Sequence, residues 1–112
     1  MNVYFLGTFS GGREYAPNYQ KIVKEIENLG HTVLSKQIAD VGLEADGENR
    51  TSTYIYNREK QRIEAADVVV AEVSNPGIGV GYFINYALTL GKPVLVLNTT
   101  GLDQRTSLVL EG

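Results

Sequence analysis

No cysteine occurs among the 112 residues, and there is a single histidine, His31. The first absence excludes disulfides and thiolate metal sites. The second leaves no histidine cluster, so no metal site is expected. No apolar run approaches the ~20 residues needed to span a bilayer. The opening segment, MNVYFLGTF, has neither a basic start nor a small-residue cleavage site. It reads as a strand and not as a signal peptide, so the cytoplasm is the expected location. Basic residues are also thin: Lys and Arg number 10 against 13 Asp and Glu, for a net charge of −3. They form no stripe, which argues against duplex nucleic acid or a membrane surface as the main partner. A small anion held by local geometry stays open.

What is present is a regular alternation. At 43% hydrophobic the chain can bury one modest core. NVYFLG (residues 2–7) reads as a buried strand ending at a glycine. Pro17 sits near the start of a helix in which Tyr19, Ile22, Val23, Ile26 and Leu29 recur at helical spacing, and Gly30 is placed to end it. TVLS (residues 32–35) is a short second strand. Residues 36–50 are polar and loop-like. Residues 53–65 look helical, with Tyr56, Lys60 and Ile63 on one side and Glu59 near it. Residues 68–73 form a third strand, apolar enough to be covered on both faces. Residues 78–90 are a helix stopped by Gly91, residues 93–97 a fourth strand, and residues 103–111 a last short helix. This order predicts an α/β domain over 1–112: a doubly wound, flavodoxin- or Rossmann-like parallel sheet of four to five strands with flanking helices.

Ligands in such sheets bind beyond the carboxyl ends of the strands. Two glycine-rich turns fall there. GTFSGGRE (residues 7–14) is neither a P-loop nor G-x-G-x-x-G. It does place Gly7, Gly11 and Gly12 beside two hydroxyls, Thr8 and Ser10, and one cation, Arg13. Such a set suits a phosphate or a polar sugar, or it is simply a flexible connection with a solvated arginine. SNPGIGVGY (residues 74–82) sets Gly77, Gly79 and Gly81 at the start of a helix, where free amides favour anions. Glycine there also lets a helix pack closely on a sheet. Ser74 caps or contacts a ligand.

Several carboxylates lie nearby. Glu72 ends the third strand, and either finds a buried partner or faces the cleft, the latter slightly favoured. Glu59 is a solvated helix residue or a site carboxylate. Asp67 turns or caps, Glu14 is a first-turn helix charge, and His31 is a surface turn residue. Tyr82, Phe83 and Tyr86 read as core or interface, with Tyr82 or Phe83 able to border a pocket.

The two turns and their spacing resemble the nucleoside 2-deoxyribosyltransferase superfamily, and most of all its 2′-deoxynucleoside 5′-phosphate N-hydrolases. Those proteins carry G-S-I-R-G-G-R-E where this chain has GTFSGGRE. They carry A-D-V-V-V-A-E-V-T-x-P-S-L-G-V-G-Y-E-L-G where this chain has ADVVVAEVSNPGIGVGYFIN, residues 66–85, and GKPVLVL (91–97) fits the strand that follows. The resemblance implies cleavage of the bond between a deoxyribose and its base, with no cofactor. A helix glutamate attacks the anomeric carbon, and water or a second base resolves the glycosyl intermediate.

Retained positions are Tyr4, Gly7, Thr8 (for serine), Gly11, Gly12, Arg13, Glu72, Gly79, Gly81 and Tyr82. The nucleophile follows the tyrosine of G-V-G-Y, and here that residue is Phe83. Ser10 replaces an arginine, Gly77 a phosphate-binding serine, and Glu59 the aspartate of the preceding helix. Ser107 matches a serine that reaches the partner subunit's phosphate site, so the resemblance implies a homodimer with shared sites. Relatives continue past the position of Gly112, so either the sheet is shorter here or the natural chain is longer.

Three readings follow. The first is a catalytically degenerate protein that binds a (deoxy)nucleoside 5′-monophosphate or related sugar phosphate through Gly7–Arg13, Ser74–Tyr82 and Ser107. The second is an active N-glycosidase using Glu59 or Glu72 with Tyr4. The third is a non-catalytic partner of an active paralogue.

Overall fold

The computed structural model describes residues 1–8, 16–35, 51–74 and 77–99. Within them the order is β1 (Asn2–Leu6), α1 (Ala16–Asn28), β2 (Thr32–Val33), α2 (Ser52–Ala65), β3 (Val68–Glu72), α3 (Ile78–Thr89) and β4 (Val94–Leu97). The strands form one parallel sheet in the order β2-β1-β3-β4. The α/β alternation read from the sequence is therefore the observed fold, with four strands among the described residues. The expected helix over residues 103–111 lies outside them.

The chain reverses direction across the sheet after β2. With right-handed crossovers, α1 then lies on one face and α2 and α3 on the other. The two apolar clusters follow that division. Val3 and Phe5 of β1 and Val70 of β3 pack with Tyr19 and Val23 of α1. Tyr4 and Leu6 join Val69, Ala71 and Val73 against Ile63 of α2 and Val80, Ile84 and Ala87 of α3. Alternation along each strand sends successive side chains to opposite faces. Both faces of β3 are covered, as its uninterrupted valines require.

Helix ends follow local chemistry. Thr51 caps α2, its side chain accepting from the Tyr54 amide at 3.1 Å. Gly30 and Gly91, at φ of 92° and 74°, follow α1 and α3 in the left-handed region that glycine adopts without a Cβ penalty. The second strand is shorter than TVLS suggests. After Val33 the hydroxyl of Ser35 replaces the ladder, accepting from the Phe5 amide at 2.9 Å and donating to the Phe5 carbonyl at 2.6 Å. A side chain thus satisfies the backbone of β1 where its neighbour turns away.

Between β1 and β3 the strand order reverses. That switch point is the expected ligand crevice of an open parallel sheet.

Candidate ligand site

On the α2/α3 face, Tyr4 stands in the middle of β1 with its ring in the core. Its hydroxyl donates to Oε2 of Glu59 at 2.9 Å. The other carboxylate oxygen, Oε1, accepts from Nη2 of Arg58 at 2.9 Å and from Nη1 of Arg62 at 3.3 Å. Of the two alternatives for Glu59, the solvated helix residue is set aside: the residue is 7% exposed. Tyr4, two arginines and the sheet surround it, and both of its oxygens are engaged. The Tyr4 hydroxyl is pushed well above its ordinary value of 10.0, first by burial, then by the charge of Glu59 and the hydrogen bond to it. Arg62 and Arg58 pull weakly the other way.

This shift has a measurable sign. Above pH 10 an unfolded tyrosine has lost its proton while native Tyr4 keeps it, so the native state binds more protons and stability falls as pH rises. Tyr4→Phe is expected to remove part of that alkaline loss, and to remove one tyrosine that titrates only on unfolding. Absorbance titration of phenolate in the native protein checks it. An unchanged count of late-titrating tyrosines in the variant would contradict the assignment.

Next to this network, α2 and α3 are joined by aromatic rings. Tyr56 stacks on Phe83 with centroids 6.3 Å apart and planes at 29°. Tyr82 meets Phe83 edge-on at 5.4 Å, and the hydroxyls of Tyr56 and Tyr82 lie 2.6 Å apart. The hydrogen bond from Tyr82 pulls the Tyr56 hydroxyl down, with help from Lys60, and raises that of Tyr82. Lys60 stands 5.2 Å above the Tyr56 ring and 5.1 Å above that of Tyr86. Phe83 is half-buried and packs against the core cluster, while Tyr82 is exposed.

Thr8 and Gly77, one from each turn, meet at the carboxyl end of the sheet. Thr8, after β1, is buried, and a Cβ built on Gly77 would sit 3.0 Å from its Oγ1. Gly77 is the N-cap of α3 and offers no side-chain cap. The N-cap residue itself thus supplies no side chain to the first-turn amides of α3, which open toward that crevice. Gly7 has a different reason to be glycine: a Cβ there would lie 2.8 Å from Cζ of Tyr19. Tyr19 in turn accepts from the Thr8 amide at 3.1 Å and donates to its carbonyl at 3.3 Å, fixing the start of the turn. A Cβ on Gly79 or Gly81 would meet nothing within 4 Å. Close packing of helix on sheet does not explain those two glycines.

Glu72 is not brought to Tyr4 and Glu59. It is fully buried, and strand alternation aligns it with Val68 and Val70 on the α1 face. The preference for a cleft-facing Glu72 is corrected accordingly. Its Oε1 accepts from the Ser74 amide at 2.7 Å, and its Oε2 has no hydrogen-bond partner among the described residues. Ser74 does not cap α3. Its hydroxyl donates to Oδ1 of Asn98 at 3.2 Å and accepts from the Thr99 amide at 2.8 Å, tying the ends of β3 and β4. Ser10, Gly11, Gly12, Arg13, Glu14 and Ser107 lie outside the described residues.

Four contributors escaped the sequence reading: Arg58, Arg62, Tyr56 and Tyr19. A signal existed for one of them, since Arg62 follows Glu59 at i+3, the spacing of a helical ion pair.

A doubly wound parallel sheet, with Thr8 and the N-cap of α3 meeting at its switch point, defines an open α/β domain of the kind that takes ligands beyond its strand ends. The comparisons make this specific. The family model for nucleoside 2-deoxyribosyltransferase matches residues 3–108, and the chain belongs to that family. It is 43% identical over 98 residues to a Mus musculus protein named 5-hydroxymethyl-dUMP N-hydrolase, covering 86% of this chain and 56% of that one. It is 38% identical over 112 residues to a Methanococcoides burtonii protein named as a 2′-deoxynucleoside 5′-phosphate N-hydrolase, covering 100% of this chain and 90% of the relative. The chain thus spans little more than half of the mouse protein and nearly all of the archaeal one. Among solved structures, a 2-deoxyribosyltransferase from Bacillus psychrosaccharolyticus superimposes with a TM-score of 0.77 at 21% identity, covering 98% of this chain and 80% of that one. At that identity the likeness concerns the fold. No helix among the described residues is long and apolar enough to cross a membrane.

Proposed function

We propose that the protein binds a (deoxy)nucleoside 5′-monophosphate at the switch point and does not cleave it at a rate typical of its family. The observation that carries this reading is the state of its carboxylates. Phe83 stands where the resemblance puts the nucleophile, and its ring is stacked on Tyr56. Glu59 has both oxygens engaged by Tyr4, Arg58 and Arg62. Glu72 points to the opposite face of the sheet. No described carboxylate is left to attack an anomeric carbon or to activate water beside it.

The binding half rests on the N-terminus of α3, where Gly77 supplies no capping side chain, and on the names of the relatives. The phosphate falls to the α3 amides, Thr8 and the turn containing Arg13. A homodimer with shared sites fits α3, which has no Asp, Glu, Lys or Arg and leaves Ile78, Tyr82 and Leu88 exposed. The second reading, an active N-glycosidase, requires Glu59 to leave its three partners.

Calorimetric titration of the purified protein with each deoxynucleoside 5′-monophosphate, alongside chromatography of the same mixtures, tests this. The expected result is saturable binding of at least one nucleotide with no free base. Base release at family-like turnover would overturn the degenerate reading, and absence of binding to all of them would overturn the nucleotide reading.

A further inference from the structure

We infer that the ring of Tyr82 is the stacking platform for the base of the bound nucleotide, so that the protein recognises the face of a flat base and not its hydrogen-bonding edge. The inference rests on the nucleotide-binding reading above and names what that ligand carries: a conjugated ring.

Tyr82 is both held and open. Its hydroxyl is 2.6 Å from that of Tyr56 on the neighbouring helix, and its ring meets Phe83 edge-on with centroids 5.4 Å apart. It is nevertheless 49% exposed. The rings around it are already engaged. Tyr56 stacks on Phe83 at 29°, and Lys60 stands over Tyr56 and Tyr86. No ring among the described residues lies face to face with Tyr82; that of Tyr56 is tilted to it by 50° at 5.9 Å. An exposed aromatic face whose hydroxyl end is already tied down offers stacking area at little further ordering cost.

The ring also stands at the right place. Tyr82 follows the N-cap Gly77 by five residues, about 7.5 Å along the axis at 1.5 Å per residue. Side chains on a helix lean toward its N-terminus, so this ring covers the turn nearest the crevice. Between cap and ring lie Gly79 and Gly81, where an added Cβ would meet nothing within 4 Å. The surface leading from the crevice to the ring is therefore open backbone, free for a sugar to cross. Ile78, one turn before Tyr82 on the same face and 95% exposed, gives it an apolar border. A nucleotide held by its phosphate at the crevice lays its ring end on Tyr82. Stacking needs no matched donors or acceptors, which suits a helix without Asp, Glu, Lys or Arg.

Two probes isolate the face of the base: dUMP and 5,6-dihydro-2′-deoxyuridine 5′-monophosphate. They share charge and the carbonyl and N–H edge, but the second has lost the double bond that makes the base flat and conjugated. Calorimetry on the intact chain is expected to give roughly tenfold tighter binding of dUMP. The ratio should hold as ionic strength rises, because both probes carry the same phosphate. Tyr82→Leu is expected to bring the two probes to equal affinity and to leave 2-deoxyribose 5-phosphate, which has no base, bound as before. Tyr82→Phe is expected to keep most of the preference, with circular dichroism confirming that both variants fold. Equal affinity of the unmodified protein for the two probes, or a preference that survives Tyr82→Leu, overturns the inference and leaves the nucleotide reading standing. So does a Tyr82→Leu protein that sediments as a smaller species with the probe ratio unchanged, which would make the ring a contact between copies of the chain. Failure of both probes and of 2-deoxyribose 5-phosphate to bind removes the nucleotide reading, and this inference with it.

Discussion

Phe83→Glu is expected to release free base from a deoxynucleoside 5′-monophosphate at least about a thousandfold faster than the unmodified protein. Loss of a covalent nucleophile typically costs ~10⁴ to 10⁶ in rate, so restoring one can recover much of that if the surrounding site is intact. The local chemistry favours the new carboxylate. Lys60, over the rings of Tyr56 and Tyr86, brings positive charge to this helix pair, and Tyr82 and Tyr56 supply hydroxyls on one side. Opposite charge and hydrogen bonds both hold a carboxylate ionised, as a nucleophile must be. Recovery is incomplete for a stated reason. Glu59, where the resemblance puts an aspartate that contacts the base or leaving group, is tied to Tyr4 and two arginines.

The substitution also removes the stacked contact with Tyr56, which costs packing but few core contacts, because Phe83 is only half-buried. Chromatography for free base, with nucleotide affinity measured in parallel, decides the matter. If the variant binds nucleotide as before and releases no base, the site is further from activity than one residue. The changes at Ser10, Gly77 and Glu59 would then matter as much as Phe83.

Much of the architecture was legible because it depends on periodicity and punctuation, which are local. Strand–helix alternation, the valine run of β3 and the glycines closing α1 and α3 each translate directly into structure. Glu72 was legible in principle: counting by twos from Val68 and Val70 places it on the α1 face, away from Tyr4. The burial of Glu59 was not. It depends on the rotation of α2 against the sheet, and on Arg58 and Arg62 arriving to neutralise a carboxylate that would otherwise be costly to bury. The stacking of Phe83 on Tyr56 was equally hidden, since it joins residues on two helices whose relative placement no single-helix pattern encodes. The residues that escaped are those whose role is set by tertiary approach and not by their own segment.

Gly7 gives the second large effect, and here fold and function meet in one atom. Gly7→Ala is expected to lower stability by about 1–3 kcal/mol, the usual cost of overpacking a filled site. The added methyl would stand 2.8 Å from Cζ, 2.9 Å from Cε2 and 3.1 Å from Cε1 of Tyr19. The ring cannot yield cheaply. It is 1% exposed, meets Phe5 edge-on at 5.5 Å, and its hydroxyl holds both the amide and the carbonyl of Thr8. Any shift of Tyr19 therefore moves the first residue of the turn proposed to hold phosphate, so nucleotide affinity should fall along with stability.

Urea denaturation of Gly7→Ala, Tyr19→Leu and the double variant separates the two effects. Tyr19→Leu removes the ring that collides, so the double variant should be less destabilised than the two single changes added together. It should not recover nucleotide binding, because the hydroxyl that positions Thr8 is gone. A Gly7→Ala protein within about 0.5 kcal/mol of the parent, the range of an inconsequential surface change, would mean that the ring is not fixed over this glycine. Recovered affinity in the double variant would instead separate the turn's ligand role from Tyr19.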